Sequence, residues 1–169
     1  MNPTLASWNA AGANAAFDAM IACCGARRWA LAMIGLRPIS SVVALSQAAD
    51  EVWSAMEEAD WMEAFACHPR IGERRAAHVT AKSVAWSRQE QASADTAAQR
   101  VLDQLAAGNA LYEQRFGFTY IVCATGKTAE EMLTILNRRL ARDRATELRE
   151  AAEQQRQITQ IRLGKWLVE

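Results

Sequence analysis

Histidine is nearly missing from this sequence, with only His68 and His78 among 169 residues, and proline (3) and glycine (8) are sparse. The two histidines stand ten apart, not the three to five that set two ligands of one metal on one helix, and no third histidine completes a site. A His68, Glu73, His78 metal centre is therefore disfavoured. Four cysteines occur, at 23, 24, 67 and 123, but no CxxC pair and no secretory context accompanies them, so they read as reduced core thiols. Cys67 adjoins His68, yet helix neighbours point roughly 100° apart, which argues against a nucleophilic Cys–His pair. An excess of charge is absent too: 19 basic and 19 acidic residues give a net charge of zero. Nothing then draws the chain as a whole to nucleic acid or anionic lipid, and small molecules or proteins are the expected partners. The longest apolar run, WALAMIGL at 29–36, is too short to span a bilayer, and the first basic residue, Arg27, comes too late for a secretory signal. A single domain over 1–169, cytoplasmic and metal-free, is expected.

Period-two alternation is also lacking, while Ala, Leu, Glu, Gln and Arg dominate. The fold class read from this is all-α, a single-domain helical bundle. From Ser40 to Glu57, Val42, Leu45, Ala49, Val52, Trp53 and Met56 recur at three- and four-residue intervals as one apolar stripe. A second helix is expected over about Asp60 to Cys67. Thr128-Ala-Glu-Glu131 has the form of a capping box opening a helix to about Arg142, and Thr146 to Trp166 reads as a long closing helix. Only TYIVCA at 119–124 looks strand-like. It runs into Gly126-Lys127-Thr128, but a phosphate-binding loop needs glycine five positions before Gly126, where Ile121 stands, so Gly126 reads as a turn. RRLARDR at 138–144, with Asp143 inside it, reads as a solvated helix face.

Three features suggest chemistry without establishing it. Pro69 lacks an N–H and pushes His68 out of the helical region, so the helix running from Trp61 should stop there with an imidazole at a fixed corner. Histidine titrates near pH 6.5 and can exchange a proton at neutral pH, though a His-Pro corner can equally be only a helix stop. Ser87, Glu90 and Gln91 fall at i, i+3 and i+4 and would share one helix face. That pattern is a capping box, sufficient in itself, whose free N–H groups also suit a small anion. Arg162 lies four residues from both Ile158 and Trp166, on a mostly apolar stripe, where a guanidinium must either snorkel to solvent or meet an anion.

Taken together, HPRIGE at 68–73, SRQEQ at 87–91, NALYEQRFGF at 109–118 running into YIVCA at 120–124, and QIRL at 160–163 resemble the OHCU decarboxylases. These enzymes act on 2-oxo-4-hydroxy-4-carboxy-5-ureidoimidazoline in urate degradation. The stretch ASADTAA after Gln91 departs from the Ala-Gly-Leu expected there, which touches packing more than chemistry. The resemblance implies an all-α fold, a carboxy-lyase forming (S)-allantoin and CO₂, a homodimer, and neither metal nor organic cofactor. It places the catalytic histidine at His68 and an acidic partner at Glu90. Substrate contacts fall on Pro69, Ser87, Gln91, Arg162 and the backbone of Tyr120, Ile121, Val122, Cys123 and Ala124. Two other readings fit the same residues: a non-catalytic helical binding module, and a lyase or hydrolase acting on a related ureide.

Overall fold

A computed structural model describes residues 2–71 and 99–169. Among the described residues the secondary structure is helical: α1 (Pro3–Ala10), α2 (Ala13–Cys24), α3 (Arg27–Gly35), α4 (Val42–Ser54), α5 (Glu58–Ala66), α6 (Gln99–Phe116), α7 (Ala129–Arg139) and α8 (Arg144–Trp166). None is long and apolar enough to cross a membrane. The chain forms two compact units, one of Met1–Ala64 with Arg156–Glu169, the other of Phe65–Gln155.

In the first unit, small alanines and large aromatics alternate in the core. Trp8 and Trp29 are buried, and each indole N–H finds a helix carbonyl, Ala16 at 3.0 Å and Ala49 at 3.1 Å, as buried indoles require. Trp8 also meets Trp166 edge to face at 6.1 Å. The apolar stripe read over 40–57 becomes α4, capped by Ser41, whose hydroxyl accepts from the Ala44 N–H. Leu45, Ala49 and Trp53 face inward, whereas Val42 stays exposed and Met56 is buried beyond the helix end. The last part of α8 joins α4 through Gln160, which donates to the Ser46 carbonyl and Asp50, and through Arg156, which pairs with Asp50 at 3.0 Å.

The second unit is built around one aromatic cluster. Val101, Leu105, Asn109, Tyr112 and Phe116 form the buried stripe of α6. Gly117 then takes φ +82°, a left-handed value natural to glycine, and its N–H closes the helix on the Glu113 carbonyl at 2.8 Å. This reversal folds Phe118 back onto Tyr112 (5.7 Å between ring centres) and Phe65 (5.4 Å). Gly108 serves close approach, since a Cβ there would lie 2.6 Å from Leu136 Cδ2 on α7.

α7 opens as expected with both arms of the Thr128–Glu131 capping box, 2.7 and 3.2 Å. It ends at Arg139, three residues before the expected Arg142, because Asp143 caps a new helix: its carboxylate accepts from the Thr146 N–H (2.9 Å) and hydroxyl (2.7 Å). The Thr146 hydroxyl and backbone N–H hold the Asp143 carboxyl below the usual carboxylate range. The basic run 138–144 is consequently not one solvated face. Arg138 and Arg144 are exposed, but Arg139 is 1% exposed and lies on the inward stripe Ala129, Met132, Leu136, Arg139.

Candidate active site

α5 ends at Ala66, and the chain tightens so that the His68 N–H bonds the Phe65 carbonyl at 3.1 Å before Pro69 forbids another turn. The half-buried His68 ring places Nε2 2.6 Å from the Gln155 side-chain oxygen on α8. This contact ties the imidazole to α8 and fixes the orientation of the ring. Arg70 pins the corner to α6 with a two-pronged pair to Glu113, both contacts 2.6 Å. The Arg70 hydrogen bonds hold the Glu113 carboxyl below its ordinary pKa. Neither Arg70 nor Gln155 was singled out by sequence reasoning. Arg70 sat inside the HPRIGE match, but the partner of each is fixed only by tertiary contact.

Residues 120–124 form no strand, contrary to their composition, because among the described residues no neighbouring strand offers a ladder; side chains meet their polar groups instead. Arg139 Nη1 donates to the Ile121 carbonyl at 2.6 Å. The Cys123 N–H donates to the Gln154 side-chain oxygen and the Cys123 carbonyl accepts from Lys127 Nζ, both at 2.8 Å. The Ala124 carbonyl takes the Lys127 N–H at 3.0 Å across the turn at Gly126 (φ +77°). Tyr120 turns inward, its hydroxyl on the Met132 carbonyl at 3.1 Å. Among the described residues no hydrogen bond reaches the N–H or C=O of Val122, which is 8% exposed. Lys127 thus braces a carbonyl, in keeping with the rejected phosphate loop.

Behind this segment lies a buried polar cluster. Glu147 is fully buried and accepts from Arg139 and from the Tyr112 hydroxyl, the latter at 2.5 Å. Burial pushes the Tyr112 hydroxyl well above the ordinary phenol range against the opposing Arg139 charge, and burial does the same to Tyr120, so both remain protonated donors. Burial is the largest single influence on Arg139 and works against its charge, but the hydrogen bond to Glu147 together with the electrostatic interactions with Tyr112, Glu147 and Tyr120 holds its pKa above the ordinary value. Its guanidinium also lies 4.9 Å from the centre of the Tyr120 ring.

Of the expected site residues, His68, Pro69 and Tyr120 to Ala124 belong to the second unit and Arg162 to the first. Arg162 is 1% exposed, so it does not snorkel to solvent. It follows Gln155 by seven residues, two turns along the same helix. Ser87, Glu90 and Gln91 lie outside the described residues, as do Glu73 and His78. Of the cysteines, 23, 24 and 123 are buried and Cys67 is partly exposed, and none is joined in a disulfide. Among the described residues no cluster of His, Cys, Asp and Glu could hold a metal ion.

The OHCU decarboxylase family model matches residues 9–164. The uric acid degradation bifunctional protein TTL of Arabidopsis thaliana is 36% identical over 144 residues, 85% of this chain and 44% of that protein. The 2-oxo-4-hydroxy-4-carboxy-5-ureidoimidazoline decarboxylase of Haloferax volcanii is 29% identical over 138 residues, 76% of this chain and 74% of its own length. This chain spans less than half of the Arabidopsis protein and 26% of a bifunctional relative from Bacillus subtilis. A crystal structure of OHCU decarboxylase in the presence of (S)-allantoin superposes with a TM-score of 0.77 at 34% identity, covering 90% of this chain and 99% of that one. An (S)-allantoin synthase structure shares the fold, with a TM-score of 0.72 at 16% identity over 96% of this chain and 53% of that one. With the helical fold, the His-Pro corner and a family match running through nearly the whole sequence, the chain belongs to the OHCU decarboxylase family.

Proposed function

We propose that this chain decarboxylates 2-oxo-4-hydroxy-4-carboxy-5-ureidoimidazoline to (S)-allantoin and CO₂ in urate degradation, by acid–base catalysis without a cofactor. The observation that carries this reading is the family match over 9–164, which spans both compact units and supports treating 1–169 as one functional domain. A homodimer acting in the cytoplasm completes the proposal.

The substrate's own chemistry explains the modest machinery. Loss of CO₂ leaves an electron pair on the ring carbon, and a conjugated C=N bond in the substrate accepts it, so the protein need only orient the molecule and move protons. His68 and Glu90 take the hydroxyl proton and return one to a single face of the ring. Arg162, Ser87 and Gln91 hold the anionic and ureido portions. Pro69 and the main chain of Tyr120 to Ala124 supply the remaining contacts, and the peptide groups of Val122, unengaged among the described residues, suit a polar ligand.

Glu90→Gln tests the division of roles. Glutamine satisfies the Ser-x-x-Glu/Gln capping pattern as glutamate does but cannot carry a proton as a carboxylate does. The expected result is a fall of about 10²-fold or more in kcat with little change in thermal stability. Full activity in this variant removes Glu90 from the chemistry.

A further inference from the structure

We infer that Arg139, held by Glu147, is a positioning residue that sets the substrate-facing main chain at 121–123 in register for decarboxylation. The inference rests on the functional reading above and adds a residue pair to it. One edge of the guanidinium is spent on Glu147 and the Tyr112 hydroxyl, while Nη1 is spent on a single main-chain carbonyl, that of Ile121 at 2.6 Å. Residue 123 is gripped from α8 by Gln154 and from the following turn by Lys127. The odd positions are thereby tied to the protein, and Val122, between them, keeps its peptide groups disengaged among the described residues.

Stability alone is a poor reason for this arrangement. A buried ion pair often contributes no more than well-packed apolar residues of similar volume. What apolar residues cannot do is hold a carbonyl in a non-repetitive segment at fixed distance from two helices. Arg139 does so because its planar fork presents donors in two directions at once. The Tyr120 and Tyr112 rings beside it restrict the fork further, with ring centres 4.9 and 5.9 Å from the guanidinium carbon.

The decisive variant is Arg139→Lys, which retains the charge opposite Glu147 but offers one ammonium point that cannot serve both sides of the fork. The assay follows loss of freshly generated OHCU and the handedness of the allantoin formed, on protein held well below its unfolding temperature. Expected is a cooperative fold with kcat/KM lowered on the order of 10- to 100-fold per folded molecule, the size of effect a misplacement of about 1 Å produces. The enzyme-dependent product should also carry a reduced (S) excess, since the ring face is no longer held. A purely architectural role would lower the unfolding temperature and leave both readouts unchanged.

Should Arg139→Lys not fold, the paired change Arg139→Met with Glu147→Leu removes both charges together, and the same kinetic losses are expected of it. Wild-type kcat/KM and (S) excess in whichever variant folds would overturn the inference. Failure of both to fold would assign the pair to stability and overturn it equally. His68→Ala runs alongside to separate the two levels. An inactive wild type sinks the functional reading, and an active His68→Ala removes the role given to His68; an active wild type with inactive His68→Ala and wild-type-like Arg139 variants sinks only the role of Arg139.

Discussion

His68→Ala is expected to lower kcat for OHCU loss by 10²- to 10⁴-fold, about 3 to 5 kcal/mol of barrier, while leaving the protein folded. The corner does not depend on the imidazole: Pro69 stops the helix, the 65–68 turn is closed by main-chain atoms, and Arg70 fastens the loop to Glu113. The variant therefore removes a proton carrier from a site whose shape persists. Circular dichroism and a thermal melt close to wild type, combined with the kinetic loss, would establish that the effect is chemical. A kcat within threefold of wild type would mean that the imidazole is only a helix stop.

Glu147→Leu is expected to be the most destabilising single change in the second unit. It leaves the Arg139 guanidinium, 1% exposed, facing leucine where a carboxylate stood, and takes the acceptor from the Tyr112 hydroxyl. Breaking one side of a buried pair costs about 3 to 5 kcal/mol, which for a chain of this size lowers the unfolding temperature by roughly 6 to 20 °C. Arg139→Met should cost less, because the carboxyl left behind can take up a proton whereas a guanidinium cannot shed one. Removing both charges should recover part of the loss. Urea unfolding of the three variants checks the order: Glu147→Leu least stable, Arg139→Met intermediate, the pair above Glu147→Leu. A double variant less stable than Glu147→Leu would show that the two side chains do not act as a unit.

Local rules were legible in the sequence. The Thr128 capping box depends on residues three apart and appears with both arms made, and the His-Pro stop follows from proline's missing N–H. Arg139 was hidden by its neighbours. Within RRLARDR it looked like one of several solvated charges, although Ala129, Met132 and Leu136 lead to it at intervals of three and four residues and place it inward. Charge composition masked a periodicity that was available. The 119–124 segment was misread in the opposite way, since apolar β-branched residues suggested a strand and only the tertiary fold reveals that side chains from 127, 139 and 154 replace its ladder. The His68–Gln155 contact spans 87 positions and has no local signature. Glu90, Ser87 and Gln91 rest on the family pattern, because they lie outside the described residues.

If this chain is the catalyst proposed, it protonates one face of the decarboxylated ring. OHCU decays unaided to racemic allantoin, so the direct measurement is the optical rotation of allantoin formed from freshly generated OHCU with and without the protein. Faster loss of OHCU together with an excess of (S)-allantoin is the predicted result. Racemic product formed at the unassisted rate would contradict it.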